Sequence, residues 1–136
     1  MKTLFIINPI SGKGSKDKLI SRLDEMGFEY VVTSRAGEGE ELARKATQDV
    51  VVAVGGDGTL NEVGRGILGT GKTLGIVPCG SGDGLARFLD IPHDVGKAVD
   101  VITAGKTIRL DAGLINGHPF FSGCGPQWCR KSALAP

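Results

Sequence analysis

At 136 residues the chain has room for one α/β domain with a core of its own. Its 16 Lys and Arg stand against 15 Asp and Glu, a formal charge of +1, so no net field draws it to nucleic acid or to acidic lipid. Three cysteines without metal-like spacing fit a reduced, cytoplasmic chain, and no apolar stretch approaches the ~20 residues of a membrane span.

Met1-Lys2 before LFII is too short for a secretion signal and is stopped by Asn8-Pro9. Thr3–Ile7 reads as a buried strand. Ser15 is placed to cap a helix with Leu19, Ile20, Leu23 and Met26 on one face, closed by Gly27. The basic cluster Lys13, Lys16, Lys18 and Arg22 at its start suits a solvated face or an anion contact equally. Phe28–Thr33 is a second strand and Glu38–Thr47 a second helix, with Leu42, Ala43 and Ala46 inward. Val50–Val54 is the third strand, followed by a helix from about Leu60 to Leu68 that Gly69 ends. Leu74–Val77 is the fourth strand, stopped by Pro78, with a short helix near Gly84–Leu89. Asp94 caps a last helix bearing Val95, Ala98, Val99 and Ile102, which Gly105 ends. Strands that alternate with helices and are apolar on both faces predict an α/β fold, a parallel sheet covered on both sides. After Gly105, Thr107–Ile115, Asn116-Gly117 and Pro119–Ser122 read as a β-hairpin. Pro126–Pro136 carries no period.

Glycine is used heavily, 22 times, and sits at the boundaries of apolar runs. Gly66–Thr73 matches the Walker A spelling, but it leaves a helix and enters a strand, the reverse of the order a phosphate loop needs. Gly64–Gly69 spells GxGxxG inside a predicted helix, where close helix packing is the better use of the glycines. The order strand, Gly-rich turn, helix occurs three times: at Asn8–Gly14, at Gly55–Thr59 and at Pro78–Gly84. Each such turn presents backbone amides and a positive helix end to an anion. Three at one sheet edge suggest a polyphosphate, and so a nucleotide.

Asn-Pro-x-Ser-Gly-Lys-Gly, Gly-Gly-Asp-Gly-Thr-Leu-Asn-Glu and Pro-x-Gly-Ser-Gly-Asp-Gly-Leu-Ala-Arg, in this order, resemble the diacylglycerol kinase catalytic domain, from Met1 to about Gly125. That family includes the bacterial diacylglycerol kinases and the sphingosine kinases. The GGDGT turn alone is shared with NAD kinases and phosphofructokinases, whose N-terminal domains have the same α/β type. The resemblance implies a nucleotide-binding domain followed by a β-rich domain, with ATP between them. It places Asn8, Ser11 and Gly12 along the nucleotide and Thr33 near the adenosine end. It wraps Gly55, Gly56, Asp57, Gly58, Thr59, Leu60, Asn61 and Glu62 around the phosphates, and closes the other side with Gly80, Ser81 and Gly82. Asp57 matches the residue assigned in sphingosine-kinase-like members to proton abstraction from the lipid hydroxyl. Elsewhere in the family the base is placed in the second domain. Mg²⁺ is the implied cation that reconciles Asp57 with a polyanion; its ligands stay unassigned. Asp57 as a plain helix cap is the alternative reading.

The implied reaction is transfer of the γ-phosphoryl of ATP to a lipid hydroxyl, of diacylglycerol or a sphingoid base. Nucleic acid is not an expected partner; peripheral membrane contact and self-association stay open. Asp83 stands where the family usually has Asn, an added negative charge beside the phosphates. Residues 1–106 read as the ATP-binding domain, 107–125 as the start of a β-rich domain that is not completed, as in a truncated product, and 126–136 as a tail. The rival readings are a non-catalytic nucleotide-binding remnant and a kinase of a soluble substrate such as NAD. Leu60-Asn61-Glu62 and the GSGDGLAR segment speak against the latter.

Overall fold

Valine and isoleucine favour extended backbone, and four runs rich in them pair side by side. They are β1 (Thr3–Ile7), β2 (Glu29–Val32), β3 (Val50–Gly55) and β4 (Thr73–Pro78). The computed structural model describes residues 2–9, 15–79, 91, 94–104, 113–115 and 118–120. All four strands are parallel, in the order β2-β1-β3-β4. Successive side chains point to opposite faces, so the apolar runs feed two cores. On one face Phe5, Ile7, Val52, Val54 and Val77 pack with Leu19, Leu23, Ala98 and Val99. On the other, Ile6, Val51, Ala53 and Ile76 pack with Ala43, Leu60, Val63 and Ile67. The expected parallel sheet, buried on both faces, is what forms.

Helix α1 (Ser15–Met26) lies on the first face with α4 (Val95–Ala104); α2 (Glu38–Lys45) and α3 (Asp57–Ile67) cover the second. The chain runs outward from β1 to β2, then returns past β1 to β3. Neighbouring strands β1 and β3 therefore send their following helices to opposite faces. The crevice this opens at their carboxyl ends is the switch point where ligands of such sheets bind.

Helix ends follow local chemistry. Gly27, at φ 75°, closes α1 as Phe28 N–H reaches back to the Leu23 carbonyl at 2.9 Å. Met26, expected inward, is 40% exposed at the last position of that helix. Asp94 caps α4 as expected, its Oδ1 accepting Lys97 N–H at 3.0 Å. Helix α2 stops at Lys45, short of Thr47, because Ala46 turns extended. Helix α3 begins at Asp57, not near Leu60. Gly56 is extended and its carbonyl already accepts Leu60 N–H at 3.1 Å, which draws Asp57, Gly58 and Thr59 into the first helical turn.

Gly66 of α3 serves packing, the use expected of a glycine inside that helix. A Cβ on Gly66 would meet Ala43 Cβ at 2.7 Å and collide with the Glu40 carbonyl, so α2 and α3 approach only because position 66 has no side chain. Across that contact Glu40 accepts from Arg65 at 2.8 Å and from Arg44 at 3.0 Å. These two guanidiniums, Arg65 first, hold the Glu40 carboxyl below its ordinary value.

Strands β5 (Gly113–Ile115) and β6 (His118–Phe120) form the expected antiparallel hairpin, with Ile115 opposite His118. The helix anticipated near Gly84–Leu89 and the tail Pro126–Pro136 lie outside the described residues.

Candidate functional site

A parallel sheet delivers the carboxyl ends of all its strands to one edge. Here Asn8 follows β1, Thr33 follows β2, Gly56 follows β3 and Cys79 follows β4. Hydrogen bonds tie these exits together. Asn8 N–H donates to the Val54 carbonyl at 3.0 Å, Thr33 N–H to Ile7 at 2.9 Å, and Cys79 N–H to Gly55 at 2.9 Å. Asn8 Nδ2 also donates to Thr59 Oγ1 at 3.1 Å, a link between residues 51 apart in sequence. That bond crosses the β1–β3 crevice and fixes the exit of one strand to the first turn of the helix after the other. Asn8, Thr33, Gly55, Gly56, Asp57, Gly58 and Thr59 are thus gathered at one edge. Ser11, Gly12, Gly80, Ser81 and Gly82 lie outside the described residues.

Two glycines of this turn do different work. A Cβ on Gly55 would stand 2.6 Å from Thr59 Oγ1 and 2.9 Å from Thr59 Cβ. Glycine there lets Thr59 fold back over the strand end and meet Asn8. Beyond its chain neighbours and its own helix backbone, no heavy atom of the described residues comes within 4 Å of where a Cβ on Gly58 would be. Its absent side chain leaves open space at the start of α3.

The amino ends of α2 and α3 both lie at this edge, and they are not equivalent. Glu62 Oε1 accepts Gly37 N–H at 3.0 Å and Gly39 N–H at 3.2 Å. The carboxylate expected beside the phosphates is therefore turned onto the start of α2, where it meets the positive helix end. Sequence reasoning missed this partnership: nothing local links Glu62 to glycines 23 and 25 residues earlier. Leu60 is 4% exposed, its side chain in the core with Val63 and Ile67, so only its backbone can take part in the turn. Asn61 is half-buried.

The start of α3 carries no such internal plug from its N-cap, since Gly56 has no side chain. Gly58 and Thr59 stand in the first turn, whose amides have no acceptor within a helix. Asp57, half-buried, is the first helical residue. It is not the N-cap that the plainer alternative made it. A carboxylate there is favourable by itself. Among the described residues no group of three or more His, Cys, Asp or Glu could hold a metal alone. One carboxylate beside free phosphate oxygens does match the way Mg²⁺ is held with nucleotides.

The Walker-like string is elsewhere, as its element order predicted. Lys72 precedes Thr73, which pairs with Val50 at the start of β3. It therefore lies at the opposite edge of the sheet from Gly56.

Comparison with known proteins agrees with this arrangement. The model of the Diacylglycerol kinase catalytic domain matches residues 2–115. The chain belongs to this family. A diacylglycerol kinase of Staphylococcus saprophyticus is 38% identical, over 96% of this chain and 47% of its own length. That of Bacillus subtilis is 35% identical, over 86% of this chain and 43% of its own. Among solved structures, a diacylglycerol kinase from Bacillus anthracis str. Sterne superposes with a TM-score of 0.79 at 26% identity, over 88% of this chain and 45% of that one. The chain thus spans about half the length of the diacylglycerol kinases it matches. No helix among its described residues is long and apolar enough to cross a membrane.

Proposed function

We propose that this chain forms the nucleotide-binding part of an ATP-dependent lipid kinase, which transfers the γ-phosphoryl of ATP to the hydroxyl of diacylglycerol or a sphingoid base. The observation that carries the reading is the Asn8–Thr59 bond across the switch point, beside the start of α3. It ties β1's exit to the amino end of α3, whose N-cap Gly56 supplies no side-chain bond, whereas Glu62 is turned onto the start of α2. Family membership supports phosphoryl transfer as the chemistry.

In this reading the amides of Gly58 and Thr59 and the α3 dipole hold the phosphates. Asn8 and Thr59 set the position of that turn, and Thr33 borders the adenosine end. Asp57 accepts the proton of the lipid hydroxyl as its oxygen bonds to the γ-phosphorus and the bridging bond to ADP breaks. Mg²⁺, when bound, would supply charge neutralisation that reconciles Asp57 with the phosphates. Catalysis otherwise rests on holding acceptor and phosphate in line with water excluded. Among the described residues the exposed large hydrophobics are Met26 of α1, Val32 of β2, Leu68 just past α3 and Val101 of α4. In this reading, lipid binding is assigned to the further length that the relatives carry.

The test has two parts. Amide NMR of the 136-residue chain with ATP·Mg²⁺ should move the signals of Gly55–Thr59 first; no change there at millimolar ATP would remove the proposal. In a protein extended to the relatives' length, transfer of labelled phosphate to diacylglycerol or sphingoid-base micelles should be lost on Asp57→Asn. The short chain alone should bind ATP weakly and label no lipid.

A further inference from the structure

Lysine side chains normally bury their stems and keep the ammonium in water. Lys16, in the first turn of α1, does not. Its side chain is half-buried, and its Nζ is buried without a hydrogen-bond partner. Burial lowers its pKa from the ordinary lysine value, while the Cys79 sulfur acts the other way. Cys79 packs against the core face that α1 covers, and its backbone N–H donates to the Gly55 carbonyl at 2.9 Å. Lys16 opens the helix that follows β1, so it stands at the carboxyl edge of the sheet, where α3 also presents its amino end. Arg22 also has a buried, unpartnered Nε, but its guanidinium is committed to Asp100 at 3.0 Å on the surface. Lys16 has no such carboxylate.

A buried cation without a partner is costly, and its place in the first turn of α1, at that helix's positive end, raises the cost. One anion lodged there satisfies both. We propose that Lys16 is a direct ligand of the nucleotide's polyphosphate, closing the phosphate site from the α1 side as the α3 amides close it from the other. The inference rests on the nucleotide reading and adds to it a residue outside all three glycine-rich turns. It also divides the basic cluster of α1: Lys18 is exposed and Arg22 is paired with Asp100, so among the described members Lys16 alone buries an ammonium without a hydrogen-bond partner.

Calorimetric titration of the 136-residue chain with inorganic tripolyphosphate, ATP·Mg²⁺ and adenosine tests this, in the wild type, Lys16→Met and Lys16→Arg. One charged hydrogen bond corresponds to about a tenfold change in affinity. Lys16→Met should lose about that factor for tripolyphosphate and ATP and none for adenosine. Lys16→Arg should recover part of it. Without ligand, Lys16→Met should melt no lower than wild type, since it removes an uncompensated buried charge. Wild-type binding of ATP with equal affinity in Lys16→Met refutes the assignment and leaves the nucleotide reading standing. A lower melting temperature together with weaker adenosine binding assigns Lys16 a structural role and also refutes it. If the wild type binds none of the three ligands, the nucleotide reading fails and this inference with it.

Discussion

Replacing Gly55 with alanine puts a methyl group 2.6 Å from Thr59 Oγ1 and 2.9 Å from Thr59 Cβ. Thr59 is 5% exposed and bonded to Asn8, so it cannot yield without cost. Overpacking of this kind costs about 1–3 kcal/mol. If Thr59 turns away, its hydrogen bond to Asn8 is lost as well, at about 1 kcal/mol. The expected destabilisation is roughly 2–4 kcal/mol, or a fall in Tm of about 6–16 °C for a domain this size. Gly58→Ala, three residues on, is the matched control. Its methyl group meets nothing within 4 Å, and a helical alanine gains up to about 1 kcal/mol over glycine. Thermal unfolding by circular dichroism with ligand absent measures both. Equal melting temperatures would show that the close approach of Thr59 to the strand end does not matter, and the role given to Gly55 would be wrong.

Three further outcomes are expected. Glu62→Ala frees the Gly37 and Gly39 amides and should cost about 1–2 kcal/mol in urea unfolding, with faster hydrogen exchange at both amides; unchanged exchange would refute the capping role. The Glu40 carboxyl is held below its ordinary 4.5 by Arg65 and Arg44, so its contribution is complete above that value and is lost as pH falls through the lower native one. Glu40→Gln should therefore lower Tm at neutral pH and flatten its decline in acid; a wild-type acid limb in the mutant would contradict this. Lys72→Ala should leave ATP binding unchanged in calorimetry, whereas loss of binding would place the phosphates at the wrong edge of the sheet.

Much of this protein can be read along the chain because the signals are local. Five-residue apolar runs become strands, Gly27 and Asp94 end and begin helices through bonds to near neighbours, and the element order exposes the Walker-like string as a decoy. Motif spelling likewise marks Asn8, Gly55, Gly56 and Asp57, since a phosphate turn must be built from consecutive residues. What pairs with what is another matter. The order β2-β1-β3-β4, the Asn8–Thr59 bond across the crevice and the turning of Glu62 onto Gly37 and Gly39 all join residues 23 or more positions apart. No local propensity encodes such contacts. They are settled when two faces of one sheet must both be buried and the crossovers decide which strand ends become neighbours. The order of strand, glycine-rich turn and helix is written in the sequence; that the Glu62 carboxylate meets the amides beginning α2 was decided by the tertiary structure, because only packing on one face of the sheet brings α3 alongside α2.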